Sequence, residues 1–164
     1  MKNNLQLLAQ QLGQQLTQRH WQLALAESCT GGSIAATITD IAGSSAWFDR
    51  GFVPYSNAAK MQMLGVKTTT LEQFGAVSQA TALEMATGAL TYSQADLALA
   101  VTGIAGPSGG SADKPVGTVF IAWQQRHQTA DCLMLALHGD RLAIRQQVIA
   151  LCLQQALRLI PTDF

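Results

Sequence analysis

The chain has 164 residues, 48% of them hydrophobic and only 12% charged, enough apolar material for one domain to bury a substantial core. Ten basic residues balance ten acidic ones, so no net positive field exists to hold a phosphate polymer, which argues against nucleic-acid binding as a primary role. Three scattered cysteines without zinc-ligand spacing, and the lack of a signal peptide or membrane-length apolar run, predict a soluble, cytoplasmic protein that needs no metal or other cofactor.

Leu5, Leu8, Leu12 and Leu16 recur at helical spacing and predict an amphipathic helix ending near His20. Trp21 to Ala26 reads as a short buried strand that runs into Glu27-Ser28-Cys29-Thr30-Gly31-Gly32, with a helix over Ser33 to Ile38 beyond. After the break at Ala42 to Ser45, a second strand is predicted from Phe48 towards Tyr55. Ser56 or Asn57 can cap a helix over Ala58 to Leu64 that stops at Gly65, and Thr70 to Gln73 has the form of a capping box. Ser78 caps a longer helix, Ala80 to Leu90, whose Leu83 and Met85 read as core. Leu97 to Val101 is an uninterrupted apolar run of the kind covered on both faces, and it leads into the glycine-rich segment Thr102 to Gly110. Val119 to Trp123 and Cys132 to Leu137 pair as a hairpin. Gly139-Asp140 opens a last helix with Leu142, Ile149, Cys152, Ala156 and Leu157 on its buried side. Helices then flank a mixed sheet on both faces, a single-domain three-layer α/β/α arrangement over residues 1–164.

The strand that ends at Ser28 delivers a hydroxyl to the mouth of such a sheet, where these folds bind ligands. Thr30, Gly31 and Gly32 let a ligand approach the backbone, and the amides opening the next helix are donors suited to an anion; an ordinary strand-to-helix turn is the alternative. Ser28 needs a base, and His20, His127 and His138 adjoin no glycine-rich motif. Lys60 sits one turn into a capped helix just after a strand end, where desolvation favours the neutral amine, and Tyr55 stands near to relay or orient the proton. A solvent-facing helix lysine is the bland alternative for Lys60. Cys29 is a rival nucleophile if the helix start lowers its pKa, and otherwise a buried support of the turn. The loop bearing Thr102, Gly103 and Gly106 has the logic of a phosphate cradle, against a structural Ω-type loop. Arg141 and Arg145 share a face of the last helix's first turn, where cations suggest a bound anion or a surface pairing with Asp140.

Taken together, Ala26 to Gly32, Ile41 to Ser45, Gly51 to Lys60, Gly75 to Ser78, Thr102 to Pro107, Lys114 to Gly117 and Gly139-Asp140-Arg141 with Arg145 closely resemble the CinA C-terminal family over nearly the whole chain. The resemblance implies a stand-alone amidase that converts nicotinamide mononucleotide and water to nicotinate mononucleotide and ammonia. It places Ser28 as nucleophile and Lys60 as base, with Tyr55 beside them, while the 48% apolar content of a chain this size is compatible with a buried subunit interface and hence a homo-oligomer. Amides of Thr30 to Gly32 would hold the oxyanion, and the Thr102 to Gly110 loop with Arg141 or Arg145 would hold the phosphate. Pro54 departs from the family pattern by removing a backbone donor beside Tyr55, and the acid often found just before the lysine is missing. A non-catalytic nucleotide-binding or regulatory module of the same fold is the alternative, and Pro54 is the feature that leans towards it.

Overall fold

The computed structural model describes residues 2–162. Its five strands are β1 (Leu23–Glu27), β2 (Phe48–Phe52), β3 (Leu97–Gly103), β4 (Thr118–Gln125) and β5 (Asp131–Ala136). They form one sheet in the order β2-β1-β3-β4-β5, with β2, β1 and β3 parallel and β4 and β5 antiparallel to their neighbours. The helices are α1 (Lys2–Arg19), α2 (Ser33–Thr39), α3 (Asn57–Leu64), α4 (Thr68–Phe74), α5 (Gln79–Thr91) and α6 (Arg141–Leu159). This is the expected α/β arrangement with a mixed sheet. None of these helices is long and apolar enough to cross a membrane.

The alternation of leucine and alanine in the central strands decides which helices lie on which face. Successive strand residues point to opposite sides. Leu23, Leu25, Leu97, Leu99, Val101 and Ile121 pack with the buried faces of α1, α2 and α6. Ala24, Ala26, Ala98, Ala100 and Ala122 face the other way and meet Ala82, Met85, Ala86 and Ala89 of α5. Small residues on both surfaces let α5 lie close to the sheet. The same economy joins α5 to α3, where a Cβ added at Gly88 would fall 2.1 Å from the Leu64 carbonyl oxygen.

Local boundaries differ from the sequence-based expectation in three places, each with a physical cause. Strand β2 ends at Phe52 because Pro54 has no N–H to continue a ladder, and the Tyr55 amide turns back onto the Val53 carbonyl at 2.9 Å. Helix α4 begins at Thr68, not at a cap on Thr70, because Glu84 of α5 accepts from the Lys67 amide at 3.0 Å and ties the entry earlier. Leu142 is 60% exposed: it lies in the first turn of α6, whose buried residues begin at Ile144.

The chain leaves β1 for β2 on one side and later returns to β3 on the other. Neighbouring parallel strands whose connections diverge open a crevice at their carboxyl ends, and Ser28 and Thr102 both stand there.

Candidate active site

Ser28 is the first residue beyond β1, and its amide donates to the Val101 carbonyl at 3.0 Å, so the end of the sheet holds it. Lys60 reaches the same point from α3, capped by Ser56, whose hydroxyl accepts from the Ala59 amide. Its Nζ lies 3.1 Å from Ser28 Oγ, 3.1 Å from the Pro54 carbonyl oxygen and 3.2 Å from that of Tyr55. Lys60 is only 2% exposed. Among the described residues no carboxylate lies within ion-pairing distance of it. Burial therefore lowers its pKa from the ordinary 10.5, while the adjacent Cys29 thiol acts weakly the other way.

The three neighbours of Nζ prescribe how a neutral amine sits. Carbonyl oxygens only accept, so the two N–H bonds of the free amine go to Pro54 and Tyr55. The lone pair is left for the Ser28 hydroxyl, whose O–H then donates to Nζ.

The turn after Ser28 closes on itself. Glu27, 1% exposed, accepts from the Thr30 hydroxyl at 2.7 Å and from the amides of Ile34 and Ala35 at 2.8 and 2.9 Å. The amides opening α2 are thus satisfied by an internal carboxylate, and are not the free anion donors that the glycine pattern suggests. The Gly31 amide donates to the Ser28 carbonyl and that of Ser33 to the Thr30 carbonyl, both at 3.0 Å. Gly31 and Gly32 hold φ of 59° and 97°, which side-chain-bearing residues rarely adopt. Among the described residues, the amides of Cys29 and Thr30 donate to no oxygen of the chain, and the Cys29 amide meets only its own thiol.

Ser28, Lys60, Tyr55, Thr102, Gly103 and Arg141 line one cavity of about 230 Å³, together with Cys29, Asn57, Ala76, Val77 and Ala105. Thr102 is buried, and its hydroxyl donates to the Ala76 carbonyl at 2.8 Å, fixing the opposite wall. Arg141 donates to the Gly106 carbonyl at 2.9 Å and approaches the Tyr55 hydroxyl at 3.4 Å. The Tyr55 ring is turned to the rim, with the residue 61% exposed, so its carbonyl and not its phenol touches Lys60. Thr30, Gly31, Gly32, Gly106 and Arg145 stand behind the lining; Arg145 bonds the carbonyls of Cys29 and Thr30. Cys29 Sγ is buried, and its pKa is pushed up to about 11, opposite to the lowering that a helix start alone would cause.

Glu27, the carbonyl of Pro54 and the wall at Ala76 and Val77 have no role assigned by sequence. Glu27 could have been found from its place one residue before the serine and seven before Ile34, within reach of a helix start. A larger groove of about 670 Å³ lies between α1 and the α2–β2 connection, lined by Gln10, Gln14, Gln18 and Trp47, and brings together no nucleophile and base. Among the described residues no group of three or more His, Cys, Asp or Glu is placed to hold a metal ion.

The model of the CinA C-terminal domain matches residues 5–160. The chain belongs to that family. Within the family it is 54% identical over 151 residues to the nicotinamide-nucleotide amidohydrolase PncC of Enterobacter agglomerans, covering 92% of each chain. To the protein of that name from Escherichia coli K12 it is 52% identical over 152 residues, covering 93% of this chain and 92% of the relative. The crystal structure of competence/damage inducible protein CihA from Agrobacterium tumefaciens superposes with a TM-score of 0.91 at 48% identity, covering 94% of this chain and 96% of that one. The fold is therefore that of a solved relative as well.

Proposed function

We propose that the chain is a nicotinamide-nucleotide amidohydrolase, converting nicotinamide mononucleotide and water to nicotinate mononucleotide and ammonia through a serine–lysine pair. One observation carries the reading: a buried lysine, with no carboxylate at ion-pairing distance among the described residues, stands 3.1 Å from a serine hydroxyl, with two carbonyls taking its N–H bonds. Relatives named for this activity, more than half identical over nearly the full length, supply the substrate.

The neutral Lys60 amine takes the Ser28 proton as Oγ attacks the carboxamide carbon, which the pyridinium ring makes electron-poor. The oxyanion that forms is held by the Cys29 and Thr30 amides, and each such donor contributes on the order of 3 kcal/mol in other amide-cleaving sites. Protonated Lys60 then gives its proton to the departing nitrogen, ammonia leaves, and an ester to Ser28 remains. Water attacks that ester with Lys60 again as base, and nicotinate mononucleotide is released.

The cavity takes the nicotinamide end, with Thr102 and Gly103 on the wall opposite Ser28. Arg141 stands at the rim with the glycine-rich loop through Gly106, and these hold the phosphate. A nucleotide substrate and three free cysteines fit a cytoplasmic setting. A homo-oligomer fits the open edge at β5, where Met134 is 67% exposed. Incubation with nicotinamide mononucleotide tests the reading: ammonia and nicotinate mononucleotide should appear in equal amounts, and release of neither would overturn it.

A further inference from the structure

We propose that Arg145 is a positioning residue of the oxyanion site, aiming the Thr30 amide by holding the carbonyls of the turn, and is not a ligand for the substrate's phosphate. The inference rests on the amidase reading above.

Arg145 lies in α6, and its guanidinium spends itself on the turn after β1. Nε donates to the Cys29 carbonyl at 3.2 Å, and Nη2 reaches the Thr30 carbonyl and Ser33 Oγ, both at 3.1 Å. It lies outside the cavity lining, whereas Arg141, one helical turn earlier, faces the cavity.

In a planar trans peptide the carbonyl and the following N–H point in opposite directions. A donor held on the Cys29 carbonyl therefore turns the Thr30 amide away from Arg145. The Gly31 amide, held on the Ser28 carbonyl at 3.0 Å, orients the Cys29 amide in the same way. Two successive amides fixed like this form a concave donor pair of the kind that cradles an anion.

The Thr30 carbonyl has a second donor in the Ser33 amide, but among the described residues Arg145 is the sole donor to the Cys29 carbonyl. Gly31 and Gly32, both at positive φ, follow directly, so little else opposes rotation of the peptide between Cys29 and Thr30. Glu27 fixes the Thr30 side chain and the start of α2 from the other side, but touches neither of the two amides. Removing Arg145 leaves the nucleophile, base and cavity in place and loosens one donor.

The test compares Arg145→Gln and Arg145→Lys with the unaltered protein, using nicotinamide mononucleotide, its phosphate-free riboside, the product, and the analogue whose carboxamide is replaced by an aldehyde. Ser28 Oγ adds to the aldehyde carbon as its proton passes to Lys60, leaving a tetrahedral oxyanion, so the analogue's affinity relative to that of the product reports the oxyanion site. Arg145→Gln should lower kcat on the order of 100-fold, the usual cost of a small misplacement, with KM moving less than about threefold. The aldehyde should weaken in step with kcat, product binding should hold, and the preference for the mononucleotide over the riboside should not change. Arg145→Lys, reaching one carbonyl instead of two, should fall between and guards against misfolding of the glutamine variant. A raised KM with loss of the preference for the phosphorylated substrate would overturn the proposal and return Arg145 to the phosphate. Equal weakening of aldehyde and product would also overturn it, by showing a general collapse of the site. No ammonia release by the unaltered protein would overturn the amidase reading itself, and this inference with it.

Discussion

The Pro54 carbonyl oxygen accepts a hydrogen bond from Lys60 Nζ at 3.1 Å, so the residue that departs from the family pattern supplies a group that holds the proposed base. Proline lacks an N–H, but β2 has already ended at Phe52, and every amino acid carries the carbonyl. Pro54→Thr and Pro54→Ala should therefore keep kcat for nicotinamide mononucleotide within about threefold of the parent, less than 1 kcal/mol in the barrier. A loss of 30-fold or more (about 2 kcal/mol) would show that the ring's fixed φ, and not the carbonyl, sets the lysine.

The choice between the two neighbouring nucleophiles follows from their surroundings. Ser28 shares a hydrogen bond with Lys60, the proposed base, while the Cys29 thiol, pushed up to about 11 by burial, carries almost no thiolate at neutral pH. Ser28→Ala should lower turnover on the order of 10⁴-fold or more while product binding, followed by calorimetry, persists. Cys29→Ala should be mild in activity. The reverse ranking would make the thiol the nucleophile.

The layered fold is legible because binary pattern suffices for it: Leu97 to Val101 can only be a strand covered on both faces, and Ser78 announces α5 by its cap. Elimination makes Lys60 a candidate base for Ser28, since a serine needs a base and no histidine adjoins a site motif, but it leaves a solvent-facing helix lysine open, and the pairing itself comes from the resemblance to the CinA C-terminal family. What sequence does not show is the orientation of groups brought from afar. The two cationic residues of α6 look equivalent at a spacing of four, yet Arg141 meets the cavity and Arg145 meets carbonyls at its back. The anion that satisfies the start of α2 is likewise Glu27, inside the same motif. A glycine-rich turn reads as an open anion site until the carboxylate beneath it is seen.

That carboxylate is a stability element with a measurable contribution. Glu27→Ala leaves the Ile34 and Ala35 amides and the Thr30 hydroxyl buried without an acceptor, a loss of about 3 kcal/mol or more. For a chain of this size that is roughly 6–12 °C in melting temperature. Glu27→Gln retains one accepting oxygen but turns an NH2 group towards an amide, and should lose about half as much. Scanning calorimetry of the three proteins checks the order. A Glu27→Ala variant as stable as the parent would mean that water replaces the carboxylate.

Lys60 ties activity and stability to one titration, with opposite consequences for its removal. The proposed mechanism needs the free amine, so kcat should rise with pH through the lowered pKa of Lys60. Between that value and the ordinary 10.5, the unfolded chain binds a proton that the folded chain does not, so stability also rises with pH across this window. Above 10.5 neither state carries the proton, and below the window both do, with the buried charge then costing its full amount. Lys60→Met removes the charge and keeps the bulk. It should abolish turnover and raise the melting temperature most on the acid side, with the gain shrinking as pH climbs towards 10.5. Lys60→Arg stays protonated throughout and should lose on the order of 10³-fold in kcat at every pH. A difference in melting temperature between Lys60→Met and the parent that does not change with pH would show that the amine titrates normally, and the base role would fall with it.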